Sequence, residues 1–232
     1  MKKLQNKVAI VTGGSRGIGA DISLCLAEAG AKVVVNYVKN QQTADQICQK
    51  ITQSGGECLA IKADVSNPAE VKMLFDQATA YFGRVDILVN NAGILIFKPI
   101  ADVSDGEFKQ IFDVNVNGIF YTLREAATRL ADNGRVVNIS STVTRLMLPK
   151  YGIYAATKGA VEQLTRVFAK EVGEKGITAN IVSPGPVDTE LFRAGKTKED
   201  IQRMAAMAAL GRIGEVDDIA QIVLFLVSEE AR

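Results

Sequence analysis

Tyr154 and Lys158 stand four residues apart, with Ser141 thirteen residues before the tyrosine, in a chain of 232 residues that contains no histidine. Imidazole is the one side chain that titrates unperturbed near neutral pH. Its absence removes Ser-His-Asp and Cys-His nucleophilic sites, histidine proton shuttles and imidazole-bound zinc. Proton transfer then falls to carboxylate, lysine, cysteine or tyrosine. A free phenol has a pKa of ~10, and bringing it to ~7 takes on the order of 4 kcal/mol of differential stabilisation of the phenolate. If residues 151–172 are helical, Tyr154 and Lys158 share one face, one turn apart, and the ammonium is a source of that stabilisation. A lone Tyr-x-x-x-Lys also arises as a solvated surface pair, so the elements around it must decide.

Those elements alternate along the whole chain. Val8–Val11, Lys32–Tyr37, Cys58–Lys62, Ile87–Val89, Val136–Ser140 and Thr178–Val182 are short, apolar and rich in β-branched residues, and predict buried strands. Between and after them, 17–29, 41–54, 68–82, 104–131, 151–173 and 215–228 carry helical patterns, with start signals such as Asn67-Pro68 and Ser104 followed by Glu107. Strands separated by helices imply right-handed crossovers and a parallel sheet covered on both faces, an α/β doubly wound (Rossmann) fold. The length predicts a single domain, 1–232. Only Pro184 to Gly214 fits no strand and helix unit, and it predicts either a lid over a site or a surface insertion.

Composition narrows the partners. A formal net charge of +1 gives no electrostatic case for nucleic acid or an anionic membrane, and the longest apolar stretch is far below spanning length. Cys25, Cys48 and Cys58 form no C-x-x-C and predict reduced, buried or half-buried thiols suited to a cytoplasmic location. No signal-peptide pattern opens the chain, and no metal site is expected.

In a doubly wound sheet, ligands bind outside the carboxyl ends of the strands, so the loops there are where chemistry belongs. The first strand runs into Thr12-Gly13-Gly14-Ser15-Arg16-Gly17-Ile18-Gly19, a turn that can bring backbone close to a ligand and aim a helix N-terminus at it. Pyrophosphate fits such a cradle, although a glycine turn alone is also a common structural device. Asp64-Val65 follows the third strand and Asn90-Asn91-Ala92-Gly93 the fourth, where a carboxylate could meet an adenine amine and small residues leave room for a ribose. Of the two asparagines, Asn90 is expected to brace the loop and Asn91 to face the ligand. Asn115 and Asn117 interrupt a helical stretch against their propensity. Pro184-Gly185-Pro186-Val187-Asp188-Thr189 closes the sixth strand.

Together these motifs resemble the classical short-chain dehydrogenases/reductases over essentially the whole chain, close to 3-oxoacyl-[acyl-carrier-protein] reductase-like members. T-G-x-x-x-G-x-G, N-N-A-G, the serine thirteen before the tyrosine, Y-x-x-x-K and the late P-G motif occur in the family's order, and the combination is very specific. The resemblance implies hydride transfer between a carbonyl and an alcohol with NAD(P). Tyr154 would be the general acid or base, Lys158 would lower its pKa and hold the nicotinamide ribose, Ser141 would bond the substrate oxygen, and Asn115 would help position a relay water. Gly13, Ser15, Arg16, Gly17, Ile18 and Gly19 would line the pyrophosphate and adenosine side. Asn36, Tyr37, Asp64, Val65, Asn91, Ala92 and Gly93 would continue the cofactor site, and Pro184, Gly185, Val187 and Thr189 would meet the nicotinamide. NAD-preferring relatives place an acid at the end of the second strand, whereas this chain reads Asn36-Tyr37-Val38-Lys39. With Arg16 and Lys39 nearby, NADP(H) is expected over NAD(H).

The resemblance also implies a lid at 186–213, a homo-oligomer (tetramer or dimer), and a further strand beyond Arg232 that this sequence does not contain. Two rival readings stand beside a small-carbonyl reductase. A 3-oxoacyl-[acyl-carrier-protein] reductase would use basic residues at the entrance, for which Arg145, Lys150, Arg193 and Lys196 are candidates. A non-catalytic dinucleotide-binding regulator would keep the fold without turnover, but such proteins lose the tyrosine or lysine that this chain retains.

Overall fold

The computed structural model describes residues 2–194 and 196–231. Six strands form one parallel sheet: β1 Val8–Thr12, β2 Lys32–Tyr37, β3 Cys58–Lys62, β4 Val85–Asn90, β5 Leu130–Ile139 and β6 Thr178–Val182, in the order β3-β2-β1-β4-β5-β6. All six overlap the expected strands, although β4 begins at Val85 rather than Ile87 and β5 at Leu130 rather than Val136. The helices are α1 Gly17–Glu28, α2 Gln41–Gln53, α3 Pro68–Phe82, α4 Asp105–Phe112, α5 Gly118–Arg129, α6 Val143–Leu146, α7 Gly152–Glu171, α8 Glu190–Arg193, α9 Lys198–Ala206 and α10 Val216–Val227.

The strands are apolar throughout because both faces of the sheet are buried. Alternate residues feed two separate cores. Ala9 and Val11, Val33 and Val35, Ile87 and Val89 point to one side, where Ile22 and Leu26 of α1, Ile47 and Ile51 of α2, and Ile219 and Val223 of α10 pack against them. Ile10, Val34, Leu88 and Val136 point to the other, against Val71, Leu74 and Phe75 of α3, Ile119 and Leu123 of α5, and Val161 and Phe168 of α7. A one-residue slip of any strand would exchange the two cores.

The strand order reverses between β1 and β4, which run parallel, so the loops after these two strands part and leave a crevice at their carboxyl ends. Thr12 and Asn90, the last residues of the two strands, are paired in register across it.

Three local features differ from what the sequence predicts. The stretch 104–131 is two helices joined by a π-helical turn, Asp113–Asn117, which contains both out-of-place asparagines. The 184–214 segment holds two short helices, α8 and α9, and its ends are pinned together: the Gly214 amide donates to the Pro186 carbonyl and the Asp188 amide to the Gly214 carbonyl, both at 2.8 Å. Cys48 and Cys58 form a disulfide between α2 and β3, so the expectation of three reduced thiols holds only for Cys25. The helix and strand fold back on each other within ten residues and bring the two Cα atoms to 5.1 Å, within disulfide reach. Free thiols therefore lend no support to a reducing compartment. No helix among the described residues is long and apolar enough to cross a membrane.

Candidate active site

Helix α7 carries Tyr154 and Lys158 on the face that also buries Thr157, Val161, Glu162 and Thr165. Its packing against the second core turns the lysine inward to the end of β5. Lys158 is 5 % exposed, and its Nζ donates to the carbonyl of Ile139, the last residue of β5, at 2.8 Å. The same Nζ lies 5.6 Å from the centre of the Tyr154 ring. Ser141, two residues beyond β5, lines the same cavity as the tyrosine and lies near enough for its hydroxyl to favour the phenolate. The three residues singled out by type and spacing thus converge at one sheet edge.

The electrostatics depart from expectation. Burial dominates and pushes the Tyr154 phenol up to about 12, against the lowering effect of the Ser141 hydroxyl. Desolvation takes the Lys158 ammonium down to about 8. The site holds a phenol that keeps its proton at neutral pH beside a lysine poised near its own titration point. That arrangement supplies an acid rather than a resting phenolate.

Asn115 occupies the π-helical turn, where the backbone bulge lets a helix side chain reach across. Its Oδ1 accepts from the Ile94 amide at 2.8 Å, while its Nδ2 donates to the Ile94 carbonyl at 2.9 Å and to the Thr157 hydroxyl at 3.2 Å. It clamps the loop after β4 to α7, and these contacts occupy the side chain. Gly93 lies beneath it: a Cβ there would come 3.3 Å from Asn115 Oδ1 and 3.7 Å from Lys158 Nζ. Asn117 bonds within its own turn, to Asp113 at 3.0 Å.

On the other side of the crevice, the glycine turn fits a dinucleotide phosphate. Gly13 and Gly17 adopt φ of +60° and +52°, which favour glycine, and a Cβ on Gly19 would overlap the Gly13 carbonyl and the Asn91 amide. Helix α1 begins with no side-chain cap and no acid in its first turn, whereas Asn40, Asn67, Ser104 and Thr189 cap α2, α3, α4 and α8. An uncapped N-terminus leaves amides and the positive end of the helix dipole for an anion. Ser15, Ile18 and Ala92 belong to the same rim, and Ile18 lines the cavity described below.

Both asparagines after β4 act as braces. Asn90 donates to Asn138 at 2.8 Å, as expected of it. Asn91 borders the cavity, but its Nδ2 donates to the Thr12 and Gly13 carbonyls at 3.0 and 3.1 Å. Asn36 likewise turns inward: it is fully buried, accepts from the Gly13 amide at 3.2 Å and donates to the Ala63 carbonyl at 2.9 Å. Tyr37 is buried too, so Val38 and Lys39 are the exposed residues at the end of β2. Arg16 is largely exposed and 3.7 Å from Glu190, an exposed pair of little energetic weight that leaves the guanidinium available. Asp64 accepts from the amide and hydroxyl of Ser66, and Val65 is buried against Gly118.

Two further residues hold the site together in roles the motifs do not assign. Thr12 Oγ1 accepts from the amides of Asn91 and Ala92 at 3.0 and 3.1 Å and so ties the glycine turn to the loop after β4. Glu162, one turn beyond Lys158, accepts from the Ser140 and Thr144 hydroxyls at 3.0 and 2.8 Å and holds the loop on both sides of Ser141. A threonine ending a strand and a glutamate within a helix carry no periodic signal of such roles.

Between these walls lies a cavity of about 160 Å³, bordered by Ser141, Tyr154 and Lys158, by Pro184, Gly185, Val187 and Thr189, and by apolar residues such as Leu95, Leu148 and Leu191. A second cavity, of about 450 Å³, opens by Leu24, Lys50 and Ser54 and touches none of these residues. Among the described residues no group of three or more Cys, Asp or Glu is placed to hold a metal ion.

The sequence and the fold match known proteins closely. A family model described as Enoyl-(Acyl carrier protein) reductase matches residues 13–232. A short-chain type dehydrogenase/reductase of Picea abies is 44 % identical over 98 % of this chain and 88 % of its own length. An NADPH-dependent aldehyde reductase-like chloroplastic protein of Arabidopsis thaliana is 42 % identical over 97 % of this chain and 89 % of its own. The crystal structure of a short chain dehydrogenase from Burkholderia cenocepacia J2315, in complex with NADP, superimposes with a TM-score of 0.93 at 37 % identity, covering 99 % of this chain and 93 % of that one. The six-stranded parallel sheet, the glycine turn beside the Tyr154 and Lys158 site, and these likenesses together place the chain in the classical short-chain dehydrogenase/reductase family, as an oxidoreductase.

Proposed function

We propose that the protein reduces a carbonyl compound to an alcohol with NADPH, and that Tyr154 is the acid. The observation that carries this reading is a buried Lys158 beside a protonated Tyr154 phenol, on a cavity that also reaches Ile18 at the uncapped start of α1 in the glycine turn. Gly13, Gly19 and the α1 amides would hold the pyrophosphate of the cofactor, which supplies the hydride when bound.

The chain's own residues do the rest. Ser141 donates a hydrogen bond to the substrate oxygen as negative charge develops on it. Tyr154 gives its phenolic proton to that oxygen, and the Lys158 ammonium stabilises the phenolate left behind until solvent returns a proton. Asn115, Thr12 and Glu162 keep the three loops in register. The 186–213 segment covers the cavity and keeps water from it.

Arg16 and Lys39, with no acid at the end of β2, favour a cofactor carrying a 2′-phosphate. The NADP-bound neighbour and the NADPH-dependent relative support the same preference. The test is oxidation of NADPH and of NADH, followed by absorbance, over a panel of aldehydes, ketones and quinones. NADPH should be used with at least tenfold higher kcat/KM, and Arg16→Ala should erase most of that margin through the KM for NADPH. Equal use of the two cofactors would refute the preference, and no turnover with either across the panel would refute the activity.

A further inference from the structure

The cavity wall carries one cation that the chemistry above does not use. Lys196, between α8 and α9, lines the cavity together with Phe192, Leu191 and Met204. Its Nζ lies 4.7 Å from the centre of the Phe192 ring and 5.4 Å from that of Phe97, and it donates to the Phe192 carbonyl at 2.7 Å. The rings fix the lysine stem at the wall. One hydrogen bond uses one of three ammonium donors, so two remain.

Its neighbours do not neutralise it. Lys196 forms no ion pair with a described carboxylate, and no acidic residue lines the cavity. Asp200, the nearest acid to influence it, is bonded to Arg203 at 2.8 Å and to Thr197. Burial outweighs the pull of Asp200 and lowers the lysine pKa, as for a cation that lacks a partner. The other basic residues of the entrance are differently placed. Arg193 makes a two-pronged pair with Asp188, at 2.5 and 2.7 Å; Arg145 is exposed, and Lys150, though its Nζ lies 5.5 Å from the Phe97 ring, is exposed too, and neither lines the cavity. Apolar residues, Leu95, Val143, Leu146, Leu148 and the ring of Tyr151, make up much of the remaining wall, beside the polar residues at the Ser141 and Tyr154 end.

We propose that Lys196 selects substrates with a carboxylate at the end remote from the reacting carbonyl, joined to it by an apolar spacer: ω-oxo carboxylic acids. Lys158 is bonded to Ile139 and sits beside the Tyr154 ring at the reacting centre, so among the described residues Lys196 is the cation of the cavity wall that is free of the reaction itself. Phe97, beside Lys196, is followed by Tyr151 at 4.8 Å and Tyr151 by Tyr154 at 6.4 Å between ring centres, and these rings with the leucines of the wall bind the spacer while the carboxylate completes the ammonium's hydrogen bonds. This inference rests on the carbonyl-reductase reading and gives it a substrate class.

The experiment compares kcat/KM, with NADPH, for a length series of ω-oxo carboxylates and their methyl esters in the native protein, Lys196→Met and Lys196→Glu. Methionine keeps an apolar stem against Phe97 and Phe192 and removes the charge. The native protein should prefer the acid to its ester by roughly tenfold at the length that spans the cavity. Lys196→Met should cost the acid about tenfold more than it costs the ester, and Lys196→Glu should disfavour the acid further. Acid and ester falling by the same factor in Lys196→Met, or no acid preference at any length in the native protein, would overturn the proposal and make Lys196 a latch on the two rings. Ester turnover that vanishes in Tyr154→Phe keeps the reductase reading standing when this happens. No turnover of either series would bring down both.

Discussion

At the scale of single residues, the site is governed by burial more than by the contact between two charges. Tyr-x-x-x-Lys spacing predicts a phenol drawn toward neutrality by its lysine, and the structure instead pushes Tyr154 up to about 12 and Lys158 down to about 8. Both shifts have desolvation as their largest cause, which no spacing rule contains. The sign has a kinetic consequence. Tyr154 stays protonated across the whole neutral and mildly alkaline range, while Lys158 is charged below about 8 and loses its proton above it. The phenolate formed during reduction then loses its stabilising neighbour. The kcat for reduction should therefore be flat through neutrality and fall as pH passes about 8. A rate that stays level well into the alkaline range would show that the lysine charge is not needed.

The elements were largely legible, and the reasons are physical. Strands buried on both faces show as unbroken β-branched runs, and the helices between them show as amphipathic repeats, so all six strands could be placed from the sequence. The exceptions are contacts that pattern cannot encode. Asn115 and Asn117 flagged a weak point in a helix, but the π-helical turn they occupy depends on Asn115 reaching Ile94 and Thr157, partners 21 and 42 residues away. Asn91, from its place in the loop after β4, and Asn36, from the resemblance, are expected to face the cofactor, whereas their amides are spent on the glycine turn and the neighbouring strands. The glycine turn itself makes a sharp prediction. Gly19→Ala places a methyl group on the Gly13 carbonyl, so the turn must open. NADPH binding, followed by its fluorescence, should weaken at least tenfold while the far-UV circular dichroism remains that of the native fold. Undiminished binding would mean that the turn is not the phosphate cradle.

For the molecule as a whole, the sheet edge brings Ser141, Tyr154 and Lys158 to one cavity, and the 184–214 segment lines that cavity with Lys196. The disulfide lies away from that edge, on the outer strand β3 and helix α2, and lay beyond sequence reading because Cys48 and Cys58 match no paired motif. Alkylation of the denatured, unreduced protein should label Cys25 alone, with mass spectrometry giving one adduct; three adducts would show the pair to be reduced in the isolated protein. The central claim is that Tyr154 donates the proton in a carbonyl reduction. Its most direct measurement is the NADPH-dependent kcat of Tyr154→Phe, taken alongside NADPH binding by the same variant. Loss of the hydroxyl should cost on the order of 10³-fold in kcat, with NADPH bound as in the native protein. Turnover within a few-fold of native, with binding intact, would contradict the account.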